Sequence, residues 1–320
     1  MIQPAQQLQM PQKLKDAILS KTCVAFIGSG LSAGCYASWH ELINGLCEQC
    51  GTGSRVSQNS TEDALLDAAQ DAKTSNSTVY FRFLGEHFGR PAERASLLYD
   101  IILSLPFECY LTVNLDPLLA LKARTAQLPC DCTVRAYPSL DRKAMVNRSI
   151  HYLHGIINEQ STPTDGTIVL ARKEFELAYG NSSNLMNLLM PTLENDPIVF
   201  LGCRLREPVM PQVFAICRQH QQARKRIAME SGRHPGSPPH RFIFLPRPQV
   251  ESEVNEEVTK EQSHAIFLKE DAYYRDMDIE PVWYSASKED HSELRLALER
   301  LAGLPDIRPN YGWQGGSNAT

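Results

Sequence analysis

The sequence lacks any uninterrupted apolar run of about 18 residues, so it offers no membrane-spanning helix. Residues 1–20 lack the basic start and apolar centre of a secretory leader. Positive charge is also scarce. Against 37 Asp and Glu stand 32 Lys and Arg, a net charge of −5 with a pI near 6.0, which argues against a dedicated nucleic-acid binder. No small-domain disulfide spacing is present. The 9 cysteines are odd in number and several sit inside apolar runs (Cys23, Cys109, Cys203, Cys217), so reduced thiols are expected. No internal repeat is found. These absences point to a soluble, cytoplasmic chain. Cys47 and Cys50 do have metal-like spacing, with Cys130 and Cys132 as an imaginable second half. That second pair is a CxC, however, and the first lies on an amphipathic helix where cysteines pack well, so no metal is expected.

What is present is an alternation of short apolar runs with helical stretches over 320 residues. Residues 23–34, CVAFIGSGLSAG, join an apolar strand to a glycine-rich turn and then to a helical segment. Glycines let a backbone turn tightly and approach a diphosphate, and the N–H groups of a following helix start attract the anion. The spacing of Gly28, Gly30 and Gly34 is GxGxxxG, not the usual GxGxxG, so the loop alone is a weak signal. Three further apolar runs end in polar residues: residues 111–123, 150–155 and 198–208. In an open parallel sheet, such strand ends converge on one crevice at the carboxyl edge.

Strands are predicted at 22–27, 109–113, 131–136, 149–153, 198–201, 241–245 and 279–284, with a short β-rich run at 167–170. Helical spacing fills the intervals, with Thr61 and Ser183 at helix starts and Trp39 in the stripe facing the core. The fold class is therefore α/β: a Rossmann-like, mostly parallel sheet with helices on both faces. Helices within 51–105 form a helical insertion covering the cleft, residues 1–305 make one domain, and 306–320 are a tail or linker. Lys225 and Arg226, with Arg224, Arg233 and Arg241, read as a solvated basic loop after a helix at 208–224.

The ordered set resembles the SIR2-like family of sirtuin-related proteins that bind NAD, and more closely its NAD-cleaving branch. Residues 28–34 look like the family's GAGxS loop, Asn114 and Asp116 like its Asn-x-Asp pair, His154-Gly155 like its His-Gly, and 202–208 like its GYSLxDP element. The resemblance covers roughly residues 20–302. It implies NAD as substrate, with His154, Asn114 and Asp116 catalytic. Gly28, Ser29, Gly30 and Ser32 would cradle the diphosphate, and Gly202, Cys203 and Arg204 would lie near the ADP half. Two departures matter: Cys203-Arg204 stands where Tyr-Ser is common, and CYASW replaces the segment that serves deacylation. After His154 only Cys203 and Cys217 remain, so the two CxxC zinc pairs of deacylating sirtuins are absent.

Residue chemistry agrees with that set. Cleaving nicotinamide from ribose passes through an oxocarbenium-like transition state and needs a held leaving group, a stabilised ribose and a nucleophile at C1′. Asn114 is able to bond a ribose hydroxyl or orient water, although Asn and Asp at a strand end commonly cap the next helix. His154 is expected to be exposed at the sheet edge, on the same face as Tyr152, ready to take a proton near neutral pH. The function implied is NAD+ glycohydrolase activity in a regulated effector of antiviral, abortive-infection defence. Its partners would be a second copy of itself or another defence protein: an ATPase, a nuclease or a phage-sensing subunit. The alternatives are a non-catalytic NAD or ADP-ribose binding module and an NAD-dependent protein deacylase.

Overall fold

The structure, a computed structural model, describes residues 8–57, 59–89, 97–126, 133–159, 163–180, 183–232, 234, 237–248, 256–286 and 291–303. Cys130, Cys132 and the expected tail at 306–320 lie outside the described residues.

Seven strands form one sheet in which every pairing is parallel. They are β1 (Val24–Ile27), β2 (Cys109–Thr112), β3 (Val134–Ala136), β4 (Ile150–Tyr152), β5 (Ile198–Leu201), β6 (Arg241–Pro246) and β7 (Glu280–Tyr284), in the order β3-β4-β2-β1-β5-β6-β7. The central strands are buried at every position, and apolar at all but Thr112, because both faces of the sheet are covered. Alternation along each strand then sorts the side chains. Ala25, Ile27, Tyr110, Val199 and Leu201 face α1 (Gln12–Leu19), α5 (Leu97–Ser104), α6 (Leu118–Thr125) and α11 (Ser292–Leu301). Val24, Phe26, Cys109, Leu111 and Phe200 face the other layer, α7 (Arg172–Ala178), α8 (Asn184–Asn195), α9 (Met210–Glu230) and the end of α10 (Glu256–Asp276).

A third core gathers α2 (Trp39–Cys50), α3 (Glu62–Ser75) and α4 (Ser77–Phe88), with Cys47 and Cys50 buried in it as packing residues. Thr61 and Ser183 do cap their helices, each side chain accepting from a backbone N–H three residues on.

Four expectations are corrected. Trp39 is 36% exposed, because it opens α2 on the outer side of the helix. Residues 167–170 form no strand: Thr167 is exposed, residues 168–170 are buried, and Val169 spends its N–H on the His154 carbonyl at 2.9 Å. Helix α9 continues to Glu230, so residues 224–226 are helical instead of loop. Arg241 is buried, its guanidinium donating twice to the Leu193 carbonyl at 3.0 and 2.7 Å.

The sheet order reverses at β1, with β2 on one side and β5 on the other, and ligands of open α/β sheets bind at such switch points. Here the loops after β1 and β5 touch backbone to backbone. Gly28 N–H donates to the Leu201 carbonyl and Gly30 N–H to the Gly202 carbonyl, both at 2.9 Å. A Cβ on Gly28 would stand 2.6 Å from the Gly202 oxygen and 2.7 Å from the Cys203 sulfur. We therefore expect Gly28→Ala to destabilise the fold by about 1–3 kcal/mol, the range for overpacking, in denaturant unfolding. An unchanged midpoint would refute the close approach.

Candidate active site

The glycine loop does not run straight into a helix. Ser29–Ser32 form a single 3-10 turn, and α2 begins only at Trp39. The N-terminus of α2 is already capped: Ser38 accepts from Glu41 N–H at 3.4 Å, and Glu41 Oε2 accepts from Ser38 N–H at 2.7 Å. The expected free helix start is thus absent, and in its place stands the 3-10 turn, on which Ser29 and Gly30 are exposed.

The same turn directs Ser32 inward, where it is 4% exposed. Its Oγ donates to Asp116 Oδ2 at 2.8 Å, lies 2.8 Å from the Tyr99 hydroxyl, and accepts from Asn114 Nδ2 at 3.1 Å. Asn114 Nδ2 also reaches the Tyr99 oxygen at 3.4 Å. Asp116 Oδ1 accepts from Leu118 N–H at 3.0 Å and so secures the start of α6. Both oxygens of Asp116 are therefore occupied by protein donors, and burial pushes its pKa up against these stabilising bonds. One acceptor is left over. Asn114 Oδ1 is buried and has no hydrogen-bond partner.

His154 occupies the opposite side of the same edge. It stands two residues beyond Tyr152, as Asn114 stands two beyond Thr112, and Thr112 and Tyr152 are register partners on adjacent strands. Contrary to expectation, His154 is buried, 8% exposed, and does not share the face of Tyr152. Strand β4 ends at Tyr152, so period-two alternation stops before the histidine. Its Nε2 is 2.9 Å from the Tyr179 hydroxyl, and its ring meets Phe175 and Tyr179 edge-on at 5.7 and 5.8 Å. Desolvation lowers its pKa to about 3, so the imidazole is neutral at physiological pH. Gly155 follows at φ +89°, where a Cβ would stand 2.3 Å from the Thr167 oxygen, which explains the His-Gly pair.

After β5, the turn exposes Arg204 and buries Cys203, whose thiol points at the carbonyls of Phe26 and Leu201, each 3.6 Å away. Leu205 takes φ +50°, and two tyrosines of α10 hold this turn: Tyr273 donates to the Leu205 carbonyl at 2.7 Å and Tyr274 to that of Arg204 at 2.8 Å. Arg206 is turned away, stacked 3.9 Å over Tyr273. Glu207 next to it has a buried Oε2 without a hydrogen-bond partner, and burial raises its pKa.

Tyr99 and Tyr179 are the site residues that sequence reasoning missed. Nothing near them in sequence marks them, since they lie 67 residues from Ser32 and 25 from His154. Glu207 falls inside the segment 202–208 already singled out, and its acidic side chain was the available signal.

The chain is a doubly wound α/β domain with Asn114 and Asp116 past the end of β2 and His154 past the end of the adjacent β4. The sequence pattern described as a SIR2-like domain matches residues 108–272, and the chain belongs to that family. It is also 26% identical, over 215 residues, to NAD(+) hydrolase ThsA of Enterococcus faecium; the match covers 65% of this chain and 42% of that relative. The chain thus spans less than half the length of the relative it matches. No helix among the described residues is long and apolar enough to cross a membrane, and no group of three or more His, Cys, Asp or Glu among them could hold a metal ion.

Glu207, with its buried Oε2 unpartnered, gives a pH-dependent test. A carboxyl group whose pKa is raised on folding supports the fold fully only below its unfolded pKa, and loses that support as pH rises through the folded value. Glu207→Gln removes this loss. We expect the variant to match wild type near pH 4 and to exceed it by about 1 kcal/mol at pH 7 in denaturant unfolding. A variant less stable at pH 7 would mean that Oε2 has a partner.

Proposed function

We propose that this chain is an NAD-cleaving domain that hydrolyses NAD+ to nicotinamide and ADP-ribose. The observation that carries the proposal is the pairing of Asn114 and His154 at equivalent positions past adjacent strands, with one unpaired acceptor between the sheet's two covering layers. Membership of the SIR2-like family and the likeness to a protein named as an NAD(+) hydrolase support it.

In this proposal Asn114 Oδ1 accepts from a hydroxyl of the nicotinamide ribose or from the attacking water. The C1′–N bond breaks with its electron pair going to the pyridinium nitrogen, which becomes neutral nicotinamide. Water oxygen bonds to C1′, and His154 takes the proton that the oxygen loses. Asp116 holds Asn114 through Ser32, and the exposed backbone of Ser29 and Gly30 with Arg204 serves the phosphates. Gly28 and Gly202 keep the two loops in contact, while Cys203 packs beneath them. Assembly with further copies, or with a partner such as an ATPase, a nuclease or a phage-sensing subunit, would switch the activity on as an antiviral effector.

One observation favours a second reading. An imidazole whose pKa is lowered to about 3 is a weak base in the free protein, as a module that binds NAD or ADP-ribose without turnover would tolerate. Incubating the protein with NAD+ and separating products by chromatography decides between them. Wild type should release nicotinamide and ADP-ribose, with His154→Ala and Asn114→Ala slower by about 100-fold or more. Full activity in His154→Ala would sink the proposal. Saturable NAD+ binding with no nicotinamide released, even with candidate partners added, would establish the binding module.

A further inference from the structure

We propose that Tyr99 is a positioning residue of this site: with Asp116 taking the Ser32 proton, the Tyr99 hydroxyl donates to Ser32 and is a second acceptor for the Asn114 NH2 group, and so helps hold Asn114 with its carbonyl oxygen and not its NH2 group toward the sugar. This inference rests on the NAD-cleaving proposal and adds to it a residue from outside the strand ends.

The direction follows from counting protons. Ser32 has one hydroxyl hydrogen, and Asp116, an acceptor when ionised, takes it at 2.8 Å. Ser32 Oγ is then left with two lone pairs. The Tyr99 hydroxyl, 2.8 Å away, has to be the donor in that contact. The second lone pair faces Asn114 at 3.1 Å and accepts only if nitrogen stands there. With the NH2 group held by Ser32 and, more weakly at 3.4 Å, by Tyr99, the amide oxygen is turned the other way. That oxygen is the buried atom without a partner.

Removing the tyrosine hydroxyl loosens this arrangement. Ser32 loses its incoming donor and Asn114 Nδ2 loses its second acceptor. An amide rotated by 180° then directs NH2 outward, and the difference between accepting from a ribose hydroxyl and donating to it is large in a buried site. Tyr99 is held firmly enough for the role. It is fully buried, and the next residue, Asp100, pairs with Lys122 of α6 at 2.8 Å, fastening α5 against the helix that Asp116 starts.

The test is Tyr99→Phe, which keeps the ring and its packing. Tyr110→Phe serves as control, because Tyr110 lies in the same core but its hydroxyl bonds Leu105 and Arg148 instead of Ser32. Steady-state NAD+ cleavage should show kcat reduced about 10-fold in Tyr99→Phe with KM within about twofold, and both constants unchanged in Tyr110→Phe. In parallel, protein labelled with 15N in asparagine side chains gives the Asn114 NH2 signals, assigned by their loss in Asn114→Asp. These should shift and exchange faster with solvent in Tyr99→Phe alone. An unchanged kcat, or Asn114 signals that coincide with wild type, would overturn the inference. Wild-type protein that leaves NAD+ intact would instead defeat the NAD-cleaving proposal, and the amide signals would still decide whether Tyr99 orients Asn114.

Discussion

Everything at the candidate site hangs on two stretches of backbone that meet without side chains between them. Gly28 and Gly30 lie against Gly202, and the amide hydrogens of the first loop bond the carbonyls of the second strand and its turn. β1 is the strand at which the sheet order reverses, so this contact joins the two halves of the sheet at their common edge. It also forces the chain after Gly28 into a tight 3-10 turn, and that turn drives Ser32 under the loop. Without Ser32 in that place, Asp116, Asn114 and Tyr99 would have no common partner. The glycines therefore act first by permitting a close approach, and whatever anion they meet is a consequence of the turn that results.

The two sides of the edge solve the burial of polar groups in opposite ways. On the side of α5 and α6, Asp116 is buried yet accepts from Ser32 and Leu118, so hydrogen bonds offset part of its desolvation. On the side of α7, His154 has one hydroxyl neighbour and otherwise aromatic rings, and desolvation prevails. The aromatic wall is itself held from outside. Arg172, which starts α7, bonds Asp63 and Asp67 of α3 at 2.6 and 2.8 Å, and Lys73 of α3 bonds Glu174 at 2.7 Å. Helices between β1 and β2 thus bear on the surroundings of both Asn114, through Tyr99, and His154, through Phe175 and Tyr179.

The fold was largely legible because parallel strands covered on both faces are short unbroken apolar runs, and the residues that end them are polar. The placement of Asn114, Asp116 and His154 past strand ends was legible for the same reason. Their environments could not. Alternation implied that His154 shares a face with Tyr152, but the hydrogen-bonded strand stops one residue too early for the rule to hold. The helix expected after the glycine loop was deferred to Ser38, whose capping box with Glu41 is a local signal that the glycines overshadowed. Tyr99 and Tyr179 reach the site across the fold, and no periodicity within a segment reports such contacts. Arg241 was counted with a basic surface cluster, although the strand it opens is apolar at the next four positions, which points to burial.

A histidine held neutral down to about pH 3 is a poor general base by the usual criterion, yet that criterion applies to removing a proton from water before it reacts. Departure of nicotinamide changes the order of events. Once the ribose carries oxocarbenium character, the incoming water bonds to C1′ first and becomes an oxonium, which is far more acidic than an imidazolium. A weak base is then sufficient to take the proton, and it returns it readily to solvent. A strong base would have been charged at neutral pH in the free protein, placing a cation beside the developing positive charge on the sugar and raising the barrier. In the proposed reaction, burial against Phe175 and Tyr179 would keep His154 uncharged while the cation forms, and the unpartnered Asn114 Oδ1 would supply a carbonyl dipole toward the same ribose. On this chemistry the lowered basicity of His154 is compatible with the proposed reaction as well as with binding alone.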